Sequence, residues 1–90
     1  LKLAYEAQNT GESATCTLNA ADEIAVEAFL QGRISFPGIA TVVSETLDAM
    51  GSRQASSVAD VLEIDRESRR VARRKADRLA GLRTEVSVKA

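Results

Sequence analysis

Histidine is absent from this chain, and cysteine, proline and aromatic residues are scarce. Without an imidazole, the chain lacks the usual general base near neutral pH and the commonest metal ligand, which excludes histidine-dependent hydrolase triads. The five glycines are scattered, and none belongs to a glycine-rich phosphate loop after a strand. The single cysteine, Cys16, cannot form a disulfide within the chain and is predicted to be a small packing residue. Composition therefore argues against an active site or a dinucleotide site here.

Long apolar runs are also missing. No segment approaches the roughly 20 apolar residues of a membrane span, and no secretory signal opens the chain. With one cysteine, this predicts a cytoplasmic protein with no membrane partner. The 90 residues, 44% of them apolar, suit one small folded domain. Because the chain begins with Leu1, we expect it to be a piece of a longer protein.

Apolar residues recur at steps of three and four along most of the chain, which predicts an all-α fold. We expect a small antiparallel helical bundle of about four to five helices. The first predicted helix covers residues 1–8, and residues 13–17 are predicted to be an extended connector. The second helix begins near Ala20 with Asn19 as its N-cap and closes at Gly32. The third is capped by Ser35, has Pro37 in its first turn and stops at Gly51.

The second half of the chain is predicted to hold two more helices. Ser57 and Asp60 have capping-box spacing for a short helix, and Asp65 is predicted to cap a longer one over residues 66–79. After Gly81, weak alternation predicts either an edge strand or disorder. The expected domain is therefore residues 1–81, followed by a tail at residues 82–90.

Charge is distributed unevenly. Residues 1–65 hold ten acidic and three basic side chains, and residues 66–90 hold three acidic and nine basic ones. The basic helix suggests phosphate binding, but Glu67 and Asp77 are spaced to pair with Arg70 and Arg73, and the acidic remainder would repel a polyanion. We therefore predict no nucleic-acid partner.

Carboxylates are concentrated in the second predicted helix, and two explanations can account for them. Asp22, Glu23 and Glu27 suggest a magnesium cluster, yet no further ligand converges on them by spacing. A solvated face favoured by the helix dipole explains them better. No residue of the chain is predicted to be catalytic, cofactor-binding or metal-binding.

Several blocks together resemble a known enzyme family. They are Leu1–Ala7, Leu18–Leu30, Arg33–Phe36 with Ile39, Asp60–Leu62 with Asp65, and Arg69–Arg73. Their order and spacing are similar to the C-terminal part of 1-deoxy-D-xylulose 5-phosphate reductoisomerase, from residue 1 to about residue 81. One position departs from the family pattern: Asp22 stands where the family usually has asparagine, and a carboxylate cannot donate as an amide does.

The resemblance implies a parent enzyme that makes 2-C-methyl-D-erythritol 4-phosphate in non-mevalonate isoprenoid biosynthesis. It implies NADPH, a divalent metal (Mg or Mn) and a homodimer for that parent. In the family the nucleotide domain, metal ligands and phosphate contacts precede this region, and no position here matches them. What the resemblance implies for this chain is a C-terminal helical bundle that supports the catalytic domain.

Two functional hypotheses follow. In the first, the start of the second predicted helix faces the catalytic domain, because polar side chains beside small alanines permit close approach; the contact residues would be Leu18, Asn19, Asp22 and Glu23. In the second, the chain is a stand-alone interaction or oligomerisation module without catalysis. An isolated domain that has lost a partner should expose an apolar patch, whereas a self-sufficient module should have a sealed core.

Overall fold

A computed structural model describes the backbone of residues 12–51, 53 and 55–89, and the side chains of residues 13–51, 53 and 55–82. Within these ranges the chain forms three helices and no strand: α1 (Glu12–Leu30), α2 (Phe36–Met50) and α3 (Val58–Lys89). The all-α prediction is confirmed, although three helices are described where four to five were expected. The helix predicted at residues 1–8 lies outside the described residues. None of the three described helices combines the length and apolarity needed to span a bilayer.

The three helices run up, down and up. Contacts between α1 and α3 advance along both helices together, from Thr17 with Ser68 to Glu23 with Arg69, and Arg33 just after α1 pairs further along with Asp77, so these two helices are parallel. Helix α2 runs against both, because Met50 at its end packs with Ile64 near the start of α3. The predicted antiparallel arrangement thus holds for each pair of consecutive helices.

Local signals close α1 and open α2 where the sequence predicted. Gly32 has a φ of 74°, and its N–H donates to the Phe29 carbonyl at 2.9 Å. The next amide, of Arg33, reaches the Ala28 carbonyl at 2.9 Å, which completes a Schellman motif. Ser35 then caps α2 by accepting from the Gly38 amide at 3.3 Å. The chain therefore reverses within five residues.

The start of α1 differs from the prediction. Residues 13–17 are helical, so the expectation of an extended connector is wrong, and Asn19 is not an N-cap because it lies inside α1. The cause is burial: Ser13 and Thr17 are spaced four apart and are 6% and 3% exposed, which extends the buried stripe of the helix by more than a turn. Tertiary packing outweighs the weak helix propensity of these residues.

Helix α3 is also longer than predicted. The sequence suggested a short helix and then a second one capped by Asp65, but a single helix covers both. No glycine or proline interrupts this stretch, and buried Ile64 and Ser68 continue one face across the expected break. Gly81 does not end the helix either: unlike Gly32 and Gly51 it has no positive φ, and the helix continues to Lys89. Its start agrees with the prediction, as Ser57 Oγ accepts from the Asp60 amide at 3.1 Å.

The interior is built mainly from small residues. One core cluster joins all three helices and is rich in alanine; its buried members are Ala21, Ile24, Ala25, Ala28, Ile34, Val42, Val43, Ala72 and Ala76. A buried hydrogen bond of 2.9 Å links Ser68 Oγ to Thr17 Oγ1 between α3 and α1. Thr46 Oγ1 is also buried and has no hydrogen-bond partner among the described residues. The described core therefore contains a buried hydroxyl group from each of the three helices.

Replacing Gly32 with alanine should destabilise the chain. An L-residue is strained at φ 74°, so we expect Gly32→Ala to lower the free energy of unfolding by about 1–2 kcal/mol in urea titrations. Gly81→Ala is the matched control, because Gly81 is helical and an added Cβ would meet nothing within 4 Å. There we expect a gain of about 0.5–1 kcal/mol. Equal effects at the two positions would contradict this account of the turn.

Ser68→Ala should also destabilise the chain. It leaves Thr17 Oγ1 buried without its partner, which we expect to lower the free energy of unfolding by about 1–3 kcal/mol. The double variant Thr17→Val with Ser68→Ala removes both polar groups and should recover much of that loss. Ser44→Ala, at an exposed position of α2, serves as the control. A double variant that is less stable than Ser68→Ala would show that the bond is not what holds this pair.

Candidate interdomain surface

The four residues predicted to contact another domain lie on one face of α1. Leu18 and Asp22 are four residues apart, as are Asn19 and Glu23, so they form two adjacent rows in the middle of the helix. Leu18 is partly buried and packs against the core cluster. Asn19, Asp22 and Glu23 are exposed. The helix thus presents a polar face, anchored from beneath by one leucine.

Asn19 and Asp22 have no side-chain hydrogen bond or ion pair with any described residue. Since Asn19 does not cap a helix, its amide keeps both donors and both acceptors for another partner. The Asp22 carboxylate can accept hydrogen bonds but donates none. The pair is therefore a small exposed polar patch whose hydrogen-bonding capacity is unused within the described part of the chain.

Glu23 takes part in an internal network. Its two carboxylate oxygens accept from Arg69 Nη1 and Nη2, each at 3.2 Å, and Asp65 accepts from Arg69 Nε at 2.9 Å. These hydrogen bonds, with Glu23 the larger cause and Asp65 next, raise the pKa of Arg69 above its ordinary value. A bidentate pair fixes both position and orientation. Glu23 therefore links α1 to α3, a role that the sequence did not reveal because Arg69 is 46 residues away.

Other charges of α3 are largely paired. Arg70 Nε donates to Glu67 at 3.0 Å, as the spacing predicted, and this pairing lowers the pKa of Glu67. Asp77 pairs with Arg33 of the α1–α2 turn, so the predicted pair with Arg73 is wrong. The remaining pairs are Arg66 with Glu63, and Lys75 and Arg78 with Glu45. Exposed pairs of this kind are individually weak, but several of them tie α3 to its neighbours.

Side chains that could bind a metal or act as nucleophiles do not come together in the described part of the chain. No group of three or more possible metal ligands is found there, so Asp22, Glu23 and Glu27 do not assemble into such a site. The Cys16 thiol is half-buried and lies 3.8 Å from the Val61 carbonyl, to which it donates. Burial, reinforced by nearby Asp65, raises the pKa of this thiol and keeps it protonated. Cys16 is a packing residue, as the sequence indicated.

A sequence model of the DXP reductoisomerase C-terminal domain matches residues 1–71, which is most of the chain. The chain belongs to this family. Among curated relatives named 1-deoxy-D-xylulose 5-phosphate reductoisomerase, one from Solibacter usitatus is 66% identical over 82 residues, covering 90% of the chain and 21% of the relative. Relatives from Thermodesulfovibrio yellowstonii and Geobacter sp. strain M21 are each 49% identical, covering 82% and 81% of the chain and 19% of each relative. The chain spans about a fifth of the length of these relatives.

Family membership confirms the resemblance that the Leu18–Leu30 block and the other matching blocks indicated. The structure also reveals two exposed apolar residues that the sequence pattern did not predict. Leu30 and Phe36 flank the α1–α2 turn and are 77% and 72% exposed. Hydrophobicity alone would have placed both in the core, and only their position beyond the buried stripes shows that they face outward.

Glu23→Gln should weaken the link between α1 and α3. Because Glu23 is mostly exposed, we expect a loss of only about 0.5 kcal/mol in the free energy of unfolding, which shrinks at high salt. Urea titrations at low and high ionic strength measure it. Glu27→Gln is the matched control, one turn along the same helix and exposed, with no side-chain partner among the described residues. Equal losses in the two variants would show that Arg69 does not provide the difference.

Proposed function

We propose that this chain is the non-catalytic C-terminal helical domain of a 1-deoxy-D-xylulose 5-phosphate reductoisomerase. The parent enzyme would use NADPH to rearrange and reduce 1-deoxy-D-xylulose 5-phosphate to 2-C-methyl-D-erythritol 4-phosphate, a step in isoprenoid biosynthesis. The match of the family over residues 1–71 carries this proposal. The domain would comprise residues 1–81, in a cytoplasmic and homodimeric parent.

The composition of the chain supports the proposal that cofactor and metal binding belong to the rest of the parent enzyme. It has no histidine and no glycine-rich phosphate loop, and the described part holds no group of metal ligands. About four fifths of the Solibacter relative lies outside the matched segment, which leaves ample chain for nucleotide and metal sites. NADPH and Mg or Mn would therefore be bound by the rest of the parent enzyme.

The proposed mechanism is positional. A rigid bundle can hold elements of a neighbouring domain in place, and small displacements of reacting groups cost a large part of the rate. Asn19 and Asp22 would provide the polar contacts to the catalytic domain, while Leu18 anchors their helix to the core. The Glu23–Arg69 pair would keep that face at a fixed angle to α3.

A stand-alone interaction or oligomerisation module is the second candidate. The exposed Leu30 and Phe36 do not favour it, because a self-sufficient module should have a sealed core. A domain separated from its parent chain would expose the same residues. The relatives also favour a domain separated from its parent chain over a stand-alone module, since each relative extends far beyond the matched segment.

Adding the 90-residue chain in trans tests the proposal. A parent enzyme truncated before the position of Leu1 should regain turnover when the chain is added, because docking would reposition its active site; we expect roughly tenfold or more. NADPH oxidation with 1-deoxy-D-xylulose 5-phosphate and magnesium is measured against chain concentration. Circular dichroism of both pieces confirms that each is folded.

Two variants of the added chain test the face itself. Asn19→Ala with Asp22→Lys should need a higher concentration for the same rescue, whereas Ser44→Lys on the exposed side of α2 should rescue like the unsubstituted chain. Failure of rescue by folded pieces would contradict a supporting role in trans. Equal rescue by all three chains would show that this face of α1 does not contact the catalytic domain.

A further inference from the structure

One end of the bundle carries three exposed large apolar side chains. Leu30 is the last residue of α1, Phe36 the first of α2, and Leu82 follows three residues after Leu79, which packs against the core. Their exposed fractions are 77%, 72% and 53%. We call these three residues the corner surface. Phe36 is held in place there, because its ring lies edge-on to Phe29 with 5.8 Å between centroids.

Helix α3 continues past this end. Asp77 is level with the α1–α2 turn, since it pairs with Arg33, and Gly81 and Leu82 are already exposed. The helix nevertheless runs on to Lys89, so residues 80–89 extend it by about 15 Å. Most helical stability in proteins comes from tertiary packing of one helix face, so a helix that runs past its own bundle favours a packing partner there.

The opposite end of the bundle is a weaker candidate. Val58 and Leu62 are also exposed there, at 77% and 61%. Among the described residues, this end holds two exposed large apolar side chains where the corner surface holds three, and at the corner α3 also continues past the turn between α1 and α2.

We propose that the corner surface, with α3 beyond Leu79, docks on an apolar surface of the part of the reductoisomerase chain outside these 90 residues. The proposal rests on the proposed function and adds a second contact, distinct from the polar face at Asn19. The docking partner is inferred from the length of the parent chain, because about four fifths of the Solibacter relative lies outside the matched segment. The Arg33–Asp77 pair beside the corner is internally neutralised, which suits an apolar contact with a polar rim.

Thiol labelling of the full-length enzyme tests this docking. Single variants Leu30→Cys, Leu82→Cys, Asn19→Cys and Ser44→Cys are alkylated in the folded enzyme, and each rate is read by mass spectrometry and normalised to the rate in denaturant. We expect the thiols of Leu30→Cys and Leu82→Cys to react roughly tenfold or more slowly than that of the exposed control Ser44→Cys. Hydroxyl-radical footprinting of Phe36 in the unsubstituted enzyme gives the same comparison without a substitution.

The outcomes separate this proposal from the proposed function. Protection at Leu30→Cys and Leu82→Cys that is independent of enzyme concentration supports docking within the chain. Reaction there as fast as at Ser44→Cys, with Asn19→Cys protected, overturns the corner contact and leaves the supporting role intact. Equal reaction at all four positions overturns both. Protection that disappears on dilution assigns the corner to a second copy, which also overturns the proposal.

Discussion

Parallel packing of α1 on α3 is the constraint on which the rest of this structure depends. Both helices contribute small side chains to one core cluster, notably Ala21 and Ala25 from α1 and Ala72 from α3. Small residues at a helix contact allow a short interaxial distance. The hydrogen bond between Thr17 and Ser68 then sets which turns face each other. Because parallel helices cannot be joined by a short turn, α2 must return along both, and the up-down-up order follows.

Because the core is made of small residues, the relative orientation of the helices depends partly on contacts at the surface. Alanine buries little area and has no distinctive shape, so it fixes the rotation of a helix only loosely. Cross-helix ion pairs supply that information on α3: Glu23 of α1 binds Arg69, and Glu45 of α2 meets Lys75. Each pair contributes little energy alone. Together they hold α3 from two sides and define which of its faces remain outward.

Local chemistry made parts of this fold predictable and left others out of reach. Gly32 and Ser35 act through bonds within a few residues, so their effects can be deduced from sequence. Asp65 and Gly81 carry boundary signals too, yet α3 passes through both because its buried face continues. The stretch ending at Thr17 looked extended, and burial made it helical. Predictions failed where packing between distant segments outweighed local preference.

The candidate interdomain surface was likewise predictable in part from sequence and in part set by packing. Family resemblance located the block around Asn19, but it could not show that Glu23 is engaged by Arg69 or that Leu30 faces outward, since both depend on how the helices are rotated. Those rotations matter for the proposed role. A domain held only along one helix face can rock about that helix, whereas a second contact away from the helix axis would prevent it. The polar face of α1 would provide the first of these contacts, and the corner surface, which includes Leu82 of α3, would provide the second.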